Sequence, residues 1–396
     1  MTRTTLGALV GAGLAAALVA GHQQPVAAQD DAVQVGLILP MTGPFASTGR
    51  QVEAGARLYL QEHGDTCGGR PVELIVKDDT GVADMTKRIA QELVVREGAE
   101  VLAGFGLTPL ALAAAPIATQ AKVPMVVMAA ATSAITEASP YIVRSSFTLP
   151  QVSAPIADWA ARNGIERVAI VVTDYAPGLD AAKTFQETFT EQGGEVVADL
   201  RVPLRNPDFA PFLQRAKDAS PDAVFVFVPS GVGAIFMKQF TQRGLADAGI
   251  RLIATGDVTD DDILDSMGDA ALGVITAHHY SAAHESPENE RFGGAFQAAN
   301  DGMRPNFMGI GGYDGMHLIC AALEKAGGGE AGGEALVEAM KGLSWESPRG
   351  PVTIDPETRD IIQNVYIREV KEVDGHLYNV EFDKLENVKD PAKAQN

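Results

Sequence analysis

Residues 35–60 read VGLILPMTGPFASTGRQVEAGARLYL, and this stretch sets the pattern for the rest of the chain. It begins with the apolar run 35–39, as expected of a strand that is buried on both faces. Apolar residues then recur at helical spacing, at Val52, Ala56, Tyr59 and Leu60. A buried strand followed by an amphipathic helix is the repeating unit of a parallel α/β sheet.

The unit repeats along the chain in two sets of similar size. In the first set, further strands are predicted at 72–76, 101–103 and 125–128, with helices between them. The second set begins after Thr148, and 223–228 is its clearest buried strand. Because no change of composition marks a flexible linker, we expect an α/β protein with two doubly wound lobes, mostly parallel sheets and several short hinges.

The first 28 residues have the pattern of a cleaved secretory signal peptide. Arg3 precedes an apolar run at 6–20, and small residues at 26–28 suit a cleavage site. The run is shorter than the roughly 20 apolar residues that a membrane-spanning helix needs. A match to a dinucleotide-binding pattern at 11–16 lies inside this run and follows no strand, so it carries no weight. We therefore expect export of a soluble mature chain.

The composition excludes some classes of partner. The chain has 31 Lys and Arg against 51 Asp and Glu, which gives a net charge of −20. A surface that binds nucleic acid needs clustered basic side chains, and docking on anionic lipid needs them as well. We therefore expect no nucleic-acid partner and no membrane-surface partner.

The two cysteines, Cys67 and Cys320, lie far apart in the sequence. Because they lack Cys-x-x-Cys spacing, they give no zinc site. Cys67 falls in a Gly-rich loop and Cys320 in an apolar helical run. We expect two unpaired thiols, with Cys320 acting as a small core residue.

The segments that follow the predicted strands are where a site is expected. In an open parallel sheet, ligands bind in the crevice beyond the carboxyl ends of the strands. Five such segments stand out: 40–49, 105–109, 129–133, 174–178 and 256–262.

Some of these segments carry a family resemblance. They read LPMTGPF at 39–45, PMVVMAAAT at 124–132 and TDYAPG at 173–178, and GYDG follows at 312–315. In these residues the chain resembles the solute-binding proteins of ABC importers, in the branch typified by the leucine/isoleucine/valine receptor. The resemblance covers essentially the whole mature chain. It implies a type I periplasmic-binding fold, in which three hinge crossovers join two lobes that close around a ligand.

The resemblance also implies the limits of the domains. Beyond a signal peptide at 1–28, lobe I would take residues 29–146 and 281–345, and lobe II would take residues 147–280 and 346–385. A C-terminal tail would follow at 386–396. We expect a periplasmic monomer that meets the membrane subunits of an ABC permease only transiently.

A narrower likeness concerns the ligand. DYAPG at 174–178, GDVTDDD at 256–262 and WESPRG at 345–350 look like the branch whose members take aromatic carboxylates such as benzoate derivatives. The segment 229–233 lacks the tyrosine that leucine-type receptors place nearby, which leaves room for a flat ring. The likeness therefore implies capture of a small hydroxybenzoate-like acid. The alternative is a branched-chain amino acid or a related amide.

The candidate site residues come from the same likeness and from their chemistry. Receptors of the family hold a carboxylate with a hydroxyl after the third strand and with amides after the fourth, and N–H groups at a helix N-terminus suit an anion. Their second lobe supplies a tyrosine and an acidic residue. An aromatic side chain after the first strand, such as Phe45, could stack on a ring. The ligand-binding candidates are Phe45, Ser47, Thr108, Ala130, Ala131, Thr132, Tyr175 and Asp257.

Several of these residues also have a structural interpretation. Phe45 could cover the edge of the core, and Thr108 is expected to cap its helix whether or not it also binds a ligand. In the acidic run at 259–262, Thr259 or Asp260 is expected to cap a helix, and the next acids would favour its positive end. The run lacks the regularly spaced oxygens and bidentate Glu of a calcium loop.

The remaining polar motifs do not indicate catalysis or metal binding. His278, His279 and His284 lack the spacing of a metal motif, and adjacent side chains on a strand point to opposite faces, so a surface or hinge position is expected. Ser230 resembles a nucleophile elbow only loosely, and no Ser-His-Asp order occurs. We therefore expect a binding protein without a cofactor, a metal or catalytic residues, and not an exported hydrolase or dehydrogenase.

Overall fold

The structure is a computed structural model that describes residues 32–328 and 331–393. The signal peptide expected at 1–28 lies outside the described residues. None of the described helices is long and apolar enough to cross a bilayer. The described chain forms two lobes, each built on its own sheet.

The first lobe begins with nine elements. They are β1 (Val33–Leu39), α1 (Ala46–His63), β2 (Thr66–Cys67), β3 (Arg70–Asp78), α2 (Ala83–Arg96), β4 (Val101–Gly104), α3 (Thr108–Ala121), β5 (Met125–Val127) and β6 (Ile142–Arg144). The sheet order is β2-β3-β1-β4-β5-β6, and every pair is parallel except β2–β3. β1 lies inside the sheet with six of its seven residues buried, which explains its continuous apolar sequence.

The second lobe repeats the strand–helix alternation. Its elements are α4 (Leu149–Arg162), β7 (Arg167–Thr173), α5 (Ala176–Glu191), β8 (Glu195–Val202), α6 (Ala210–Asp218), β9 (Ala223–Phe227), α7 (Gly233–Gln242), β10 (Arg251–Thr255) and β11 (Ile275–His278). The strands pair in parallel in the order β11-β10-β9-β7-β8. The two sets predicted from the sequence are therefore the two sheets.

The chain then returns to the first lobe before it completes the second. The last elements are α8 (Pro287–Ala299), α9 (Phe307–Lys325), α10 (Gly333–Met340), β12 (Ser344–Ser347), β13 (Gly350–Ile354), β14 (Ile361–Val373) and β15 (His376–Val388). β14 pairs antiparallel with β11, so the second sheet reads β12-β13-β14-β11-β10-β9-β7-β8, with β15 on β14. The chain thus passes between the lobes after β6, after β11 and after α10.

Close packing of α9 against α1 ties the late helices to the first lobe. A Cβ on Gly55 of α1 would lie 1.9 Å from the carbonyl oxygen of Gly309 of α9. A Cβ on Gly312 would lie 2.1 Å from the carbonyl oxygen of Val52. The two helix backbones therefore approach at distances that leave no room for a larger residue at either position.

The C-terminal segment is more ordered than the sequence suggests. β15 continues to Val388, so the first residues of the segment expected as a tail, 386–396, lie in the second sheet. Beyond the strand, Asp390 accepts a hydrogen bond from Ser133, and Lys393 pairs with Asp360. We keep the other expected lobe limits as a proposal.

Cys67 and Cys320 form a disulfide, so the expectation of two unpaired thiols is wrong. Cys67 ends β2 and Cys320 lies in α9, with their Cα atoms 4.8 Å apart. The sequence separation of 253 residues misled the prediction, because α9 returns to the first lobe and packs beside β2. A disulfide is also compatible with the export expected from the sequence, because disulfides persist in oxidising compartments.

Removal of this disulfide should lower stability without changing the fold. A bridge that closes so long a loop restricts the unfolded chain, so the Cys67→Ser, Cys320→Ser double variant should lose about 2–5 kcal/mol of unfolding free energy. Denaturant unfolding of the parent with and without a reductant, beside the double variant, measures the effect. Reductant should destabilise the parent and leave the double variant unchanged. Equal stability of all the samples would contradict a structural role for the bridge.

Candidate functional site

A cavity lies between the two lobes at the carboxyl ends of their strands. Ser47 and Thr132 do not line the cavity but bond to Asp262 and Thr108. The other six predicted residues line it: Phe45, Thr108, Ala130, Ala131, Tyr175 and Asp257.

A buried arginine orients the loop that follows β5. Arg144 is fully buried at the end of β6 and donates to the carbonyl oxygens of Ala130 at 3.0 Å and Thr132 at 2.7 Å. In a trans peptide the C=O and the following N–H point in opposite directions, so the N–H of Ala131 points away from Arg144. It makes no hydrogen bond to a described residue, whereas the N–H of Ala130 donates to Phe105. The N–H of Thr132 makes no hydrogen bond to a described residue either, but Thr132 does not line the cavity, so the amide available to an anion there is that of Ala131.

Thr108 does not cap its helix, so that part of the prediction is wrong. The cap position of α3 is Leu107, and Thr108 is the first helical residue. Its hydroxyl instead bonds to the hydroxyl of Thr132 at 2.7 Å, which links the loops after β4 and β5. Because Thr108 lines the cavity, the positive end of the α3 dipole lies at the same edge as the free amide of Ala131.

Phe45 lines the cavity and also covers the edge of the core, while its stacking on a ligand stays a prediction. It is 8% exposed and belongs to a small apolar cluster with Leu107 and Leu110 of lobe I, against which Leu204 of lobe II packs. This cluster joins the lobes at the rim of the cavity.

Aromatic side chains form two further walls of the cavity. Tyr175 stacks on Phe227 with ring centroids 6.1 Å apart and planes at 20°, and Phe147 enters from the first crossover. The first turn of α5 packs closely against the end of β7, since a Cβ on Gly178 would lie 1.8 Å from the carbonyl oxygen of Thr173. Tyr175 lies between these two residues in the chain, so this packing fixes its position. A flat apolar ring can pack against these faces.

The lobe II end of the cavity is polar, and two of its side-chain oxygens lack hydrogen-bond partners among the described residues. Asp257 and Ser230 are each 3% exposed and line the cavity, and neither Asp257 Oδ2 nor Ser230 Oγ bonds to a described residue. Burial raises the pKa of Asp257 to about 7. Burial and the charge of Asp257 also raise the pKa of Tyr175. Buried polar atoms without partners are uncommon in folded proteins, so these two indicate where a ligand would bond.

The adjacent histidines are buried and do not lie on the surface, but they lie at a crossover between the lobes, as the expected hinge position requires. His278 and His279 are fully buried at the second crossover, each with its ring centroid 4.8 Å from that of Phe147. Burial lowers the pKa of both imidazoles, so they are neutral. Within the described ranges, no group of three His, Cys, Asp or Glu side chains is arranged to hold a metal ion.

The acidic run does not cap a helix, so that interpretation is wrong as well. Asp260 accepts from Asn306 at 2.7 Å, and Asp261 accepts from Asn379 at 2.9 Å. Burial raises the pKa of both carboxyl groups. Asp262 accepts from Ser47 at 2.5 Å, which is a direct bond between the lobes. The acidic side chains of this run bond to segments that are distant in the sequence. The helix-cap rule considers only neighbouring residues, so it cannot predict these bonds.

Sequence reasoning missed several of the lining residues. Phe147 lies in the first crossover, where no strand end signals a site, and Phe227 is the last residue of β9. Ser230 follows β9, so the rule that sites follow strands applies to it. In the sequence, the segment 229–233 is notable for the tyrosine that it lacks and for the loose likeness of Ser230 to a nucleophile elbow, and neither feature predicts a ligand contact. A polar residue after a buried strand was the available signal.

Comparison with known proteins identifies the family. The profile described as periplasmic binding protein matches residues 32–376. The chain belongs to this family. The match confirms the resemblance and the two-lobed type I fold expected from the sequence, and the members are binding proteins of transporters and not enzymes.

Individual relatives give more detail. A solute-binding protein of an ABC transporter from Rhodopseudomonas palustris BisB5, solved with 3,4-dihydroxybenzoic acid, is 62% identical, with a TM-score of 0.90 over 92% of this chain and 100% of that chain. A second R. palustris protein, solved with 4-hydroxybenzoate, is 41% identical, with a TM-score of 0.89 over the same shares. The Leu/Ile/Val-binding protein homolog 6 of Brucella melitensis is 48% identical over 93% of this chain and 96% of its own length. The chain is thus a solute-binding protein of an ABC transporter.

Proposed function

We propose that this protein captures a hydroxybenzoate-like aromatic carboxylate in the periplasm and delivers it to an ABC permease. The observation that carries the proposal is the polarity of the cavity. The free N–H of Ala131 and the N-terminus of α3 lie at the lobe I end, aromatic faces line the middle, and a carboxyl oxygen without a partner, Asp257 Oδ2, lies at the lobe II end. A ring with a carboxylate at one end and a hydroxyl at the other matches this order.

The carboxylate would bind at the lobe I end. None of the described residues that line the cavity is a Lys or an Arg, so neutral donors must hold the anion. The amide of Ala131 and the N-terminus of α3 at Thr108 supply such donors, and both hydrogen bonds and the helix dipole favour negative charge there.

The ring hydroxyl would bind at the lobe II end. Asp257 Oδ2 has no donor among the described residues, and its nearest basic group is His278 Nε2 at 3.9 Å. A phenolic hydroxyl that donates to this oxygen would satisfy it. The aromatic-acid complexes of the two R. palustris relatives support this assignment.

A branched-chain amino acid is the second candidate. The name of the Brucella relative, a Leu/Ile/Val-binding protein homolog, supports it. In that case Asp257 would accept from the ammonium group. The aromatic walls and the absence of a second carboxyl among the lining residues fit a ring with a hydroxyl better than an ammonium ion.

Capture would proceed by closure of the lobes on the ligand. Ser47 bonds to Asp262, the N–H of Ser133 donates to Asp180 at 2.9 Å, and Leu204 packs against the cluster of Phe45. Each of these contacts joins the two lobes, so we expect opening of the lobes to break them. A ligand that touches both lobes binds the closed form more tightly and shifts the population towards it.

A binding panel tests the proposal. We expect the ligand-stripped protein to bind 4-hydroxybenzoate in isothermal titration calorimetry, and to bind leucine, isoleucine and valine at least about 100-fold more weakly. A difference of that size corresponds to about 2.7 kcal/mol, about the value of a missing hydrogen bond to a charged group together with lost ring packing. Binding of the aliphatic amino acids without binding of 4-hydroxybenzoate would refute the proposal and favour the second candidate.

Asp257 should make ligand preference depend on pH. Closure on benzoate buries the carboxyl of Asp257 and leaves its Oδ2 without a donor, so the closed form takes up a proton between the ordinary pKa of 3.8 and about 7. Benzoate affinity should therefore fall as pH rises from about 5 to about 7, by up to about tenfold per unit, and then level off. The ring hydroxyl of 4-hydroxybenzoate donates to the Asp257 carboxylate and so reduces this loss of affinity. The preference for 4-hydroxybenzoate over benzoate should therefore grow as pH rises over the same range.

Two matched variants test whether the pH dependence of the ligand preference comes from Asp257. Asp257→Asn should make the ratio of the two affinities independent of pH. Asp174→Asn, the same change at an exposed position close to Tyr175, should keep the parent profile. Calorimetry at several pH values measures both ratios. A parent ratio that is constant with pH would contradict the role of Asp257.

Ser47 should contribute to affinity without touching the ligand. Ser47→Ala removes the interlobe bond to Asp262, and we expect about tenfold weaker binding, because a hydrogen bond to a charged group contributes about 1.5 kcal/mol or more. Thr42→Val is the control, since it removes a hydroxyl–carboxylate bond of 2.6 Å to Asp78 within lobe I. It should leave the affinity unchanged. Equal effects of the two variants would argue against a closure bond.

A further inference from the structure

Ser230 is a buried polar side chain that the proposed binding mode does not use. It is 3% exposed, lines the cavity, and its hydroxyl has no partner among the described residues. A hydroxyl left in this state is destabilising unless a ligand or water bonds to it. Its place in the cavity wall makes a ligand atom the natural partner.

The sheet places Ser230 beside Asp257. Both residues follow neighbouring parallel strands, because β9 and β10 pair with Ala223 opposite Arg251 and Val226 opposite Ala254. The chains therefore leave the sheet at the same edge, about 4.8 Å apart, which is the spacing of adjacent strands. Ser230 and Asp257 thus face the same end of a bound ring from neighbouring positions.

Two neighbouring oxygens, Asp257 Oδ2 and Ser230 Oγ, can bond to two separate polar groups of a ligand. A ring hydroxyl has one hydrogen to donate, and an ionised Asp257 accepts it. Because Ser230 follows the strand next to that of Asp257, a ligand atom that bonds to Ser230 would lie beside the atom that bonds to Asp257. A second hydroxyl at that position can donate to or accept from Ser230, since a serine hydroxyl does both.

We propose that Ser230 is a specificity-determining residue that binds a second ring hydroxyl next to the one bound by Asp257, so that the preferred ligands are benzoates with two vicinal hydroxyl groups. This inference rests on the proposed function. It goes beyond that function, because a site for 4-hydroxybenzoate alone needs no partner at Ser230.

Calorimetry with paired ligands tests the inference. We expect the parent protein to bind 3,4-dihydroxybenzoate about five- to tenfold more tightly than 4-hydroxybenzoate, the effect of one further hydrogen bond. In Ser230→Ala this ratio should fall to about one. Ser153→Ala is the matched control, because Ser153 is also fully buried with an unpartnered hydroxyl but lies in α4 outside the cavity. It should keep the parent ratio.

The outcomes separate this inference from the proposed function. A parent that binds 4-hydroxybenzoate with no gain from the second hydroxyl overturns the role of Ser230 and leaves the proposed function standing. Equal losses for both ligands in Ser230→Ala also overturn it, because Ser230 would then contact the hydroxyl that Asp257 binds. Failure of the parent to bind either acid refutes the proposed function itself.

Discussion

The rest of the site depends on the hydrogen bonds that the buried guanidinium of Arg144 donates. A buried charge is costly unless it is paired and fully hydrogen-bonded. Arg144 meets this condition through Asp360 at 2.8 Å and through carbonyl groups on both sides of the first crossover, including that of Phe147 at 3.1 Å. It thereby fixes the loop after β5, the start of the crossover and the turn before β14. The amide of Ala131 at the lobe I end of the cavity owes its direction to this arrangement.

In the proposed function, the division of polarity between the lobes would give closure its selectivity. Lobe I offers donors to the cavity, whereas lobe II offers an acceptor and a hydroxyl at the opposite end. A ligand must carry opposite hydrogen-bonding groups at its two ends to satisfy both lobes. The net charge of −20 does not prevent binding of an anion, since the local amide and the α3 dipole act at short range and solvent ions screen distant charges.

The sequence predicted the strand and helix order well because burial leaves a periodic pattern, as in β1 and α1. Six of eight candidate residues line the cavity because parallel strands deliver their following residues to one edge. The errors all concern contacts between distant segments. Cys67 meets Cys320, and Asp262 meets Ser47, only after α9 and the second lobe fold back. Local rules for helix caps cannot anticipate such partners.

The surroundings of Asp257 explain why its carboxyl is left for a ligand. His278 is the nearest basic group, but burial and the charges of Arg368 and Arg349 hold its pKa low, so it is neutral and does not neutralise the carboxyl. Arg368 itself is occupied by Thr276 and by the carbonyl of Tyr280. The protein thus keeps basic groups near Asp257 without bonding to it. Asp257 Oδ2 therefore favours a ligand that carries a hydrogen-bond donor. Closure of the lobes without such a ligand is costly, because it buries this acceptor without a partner.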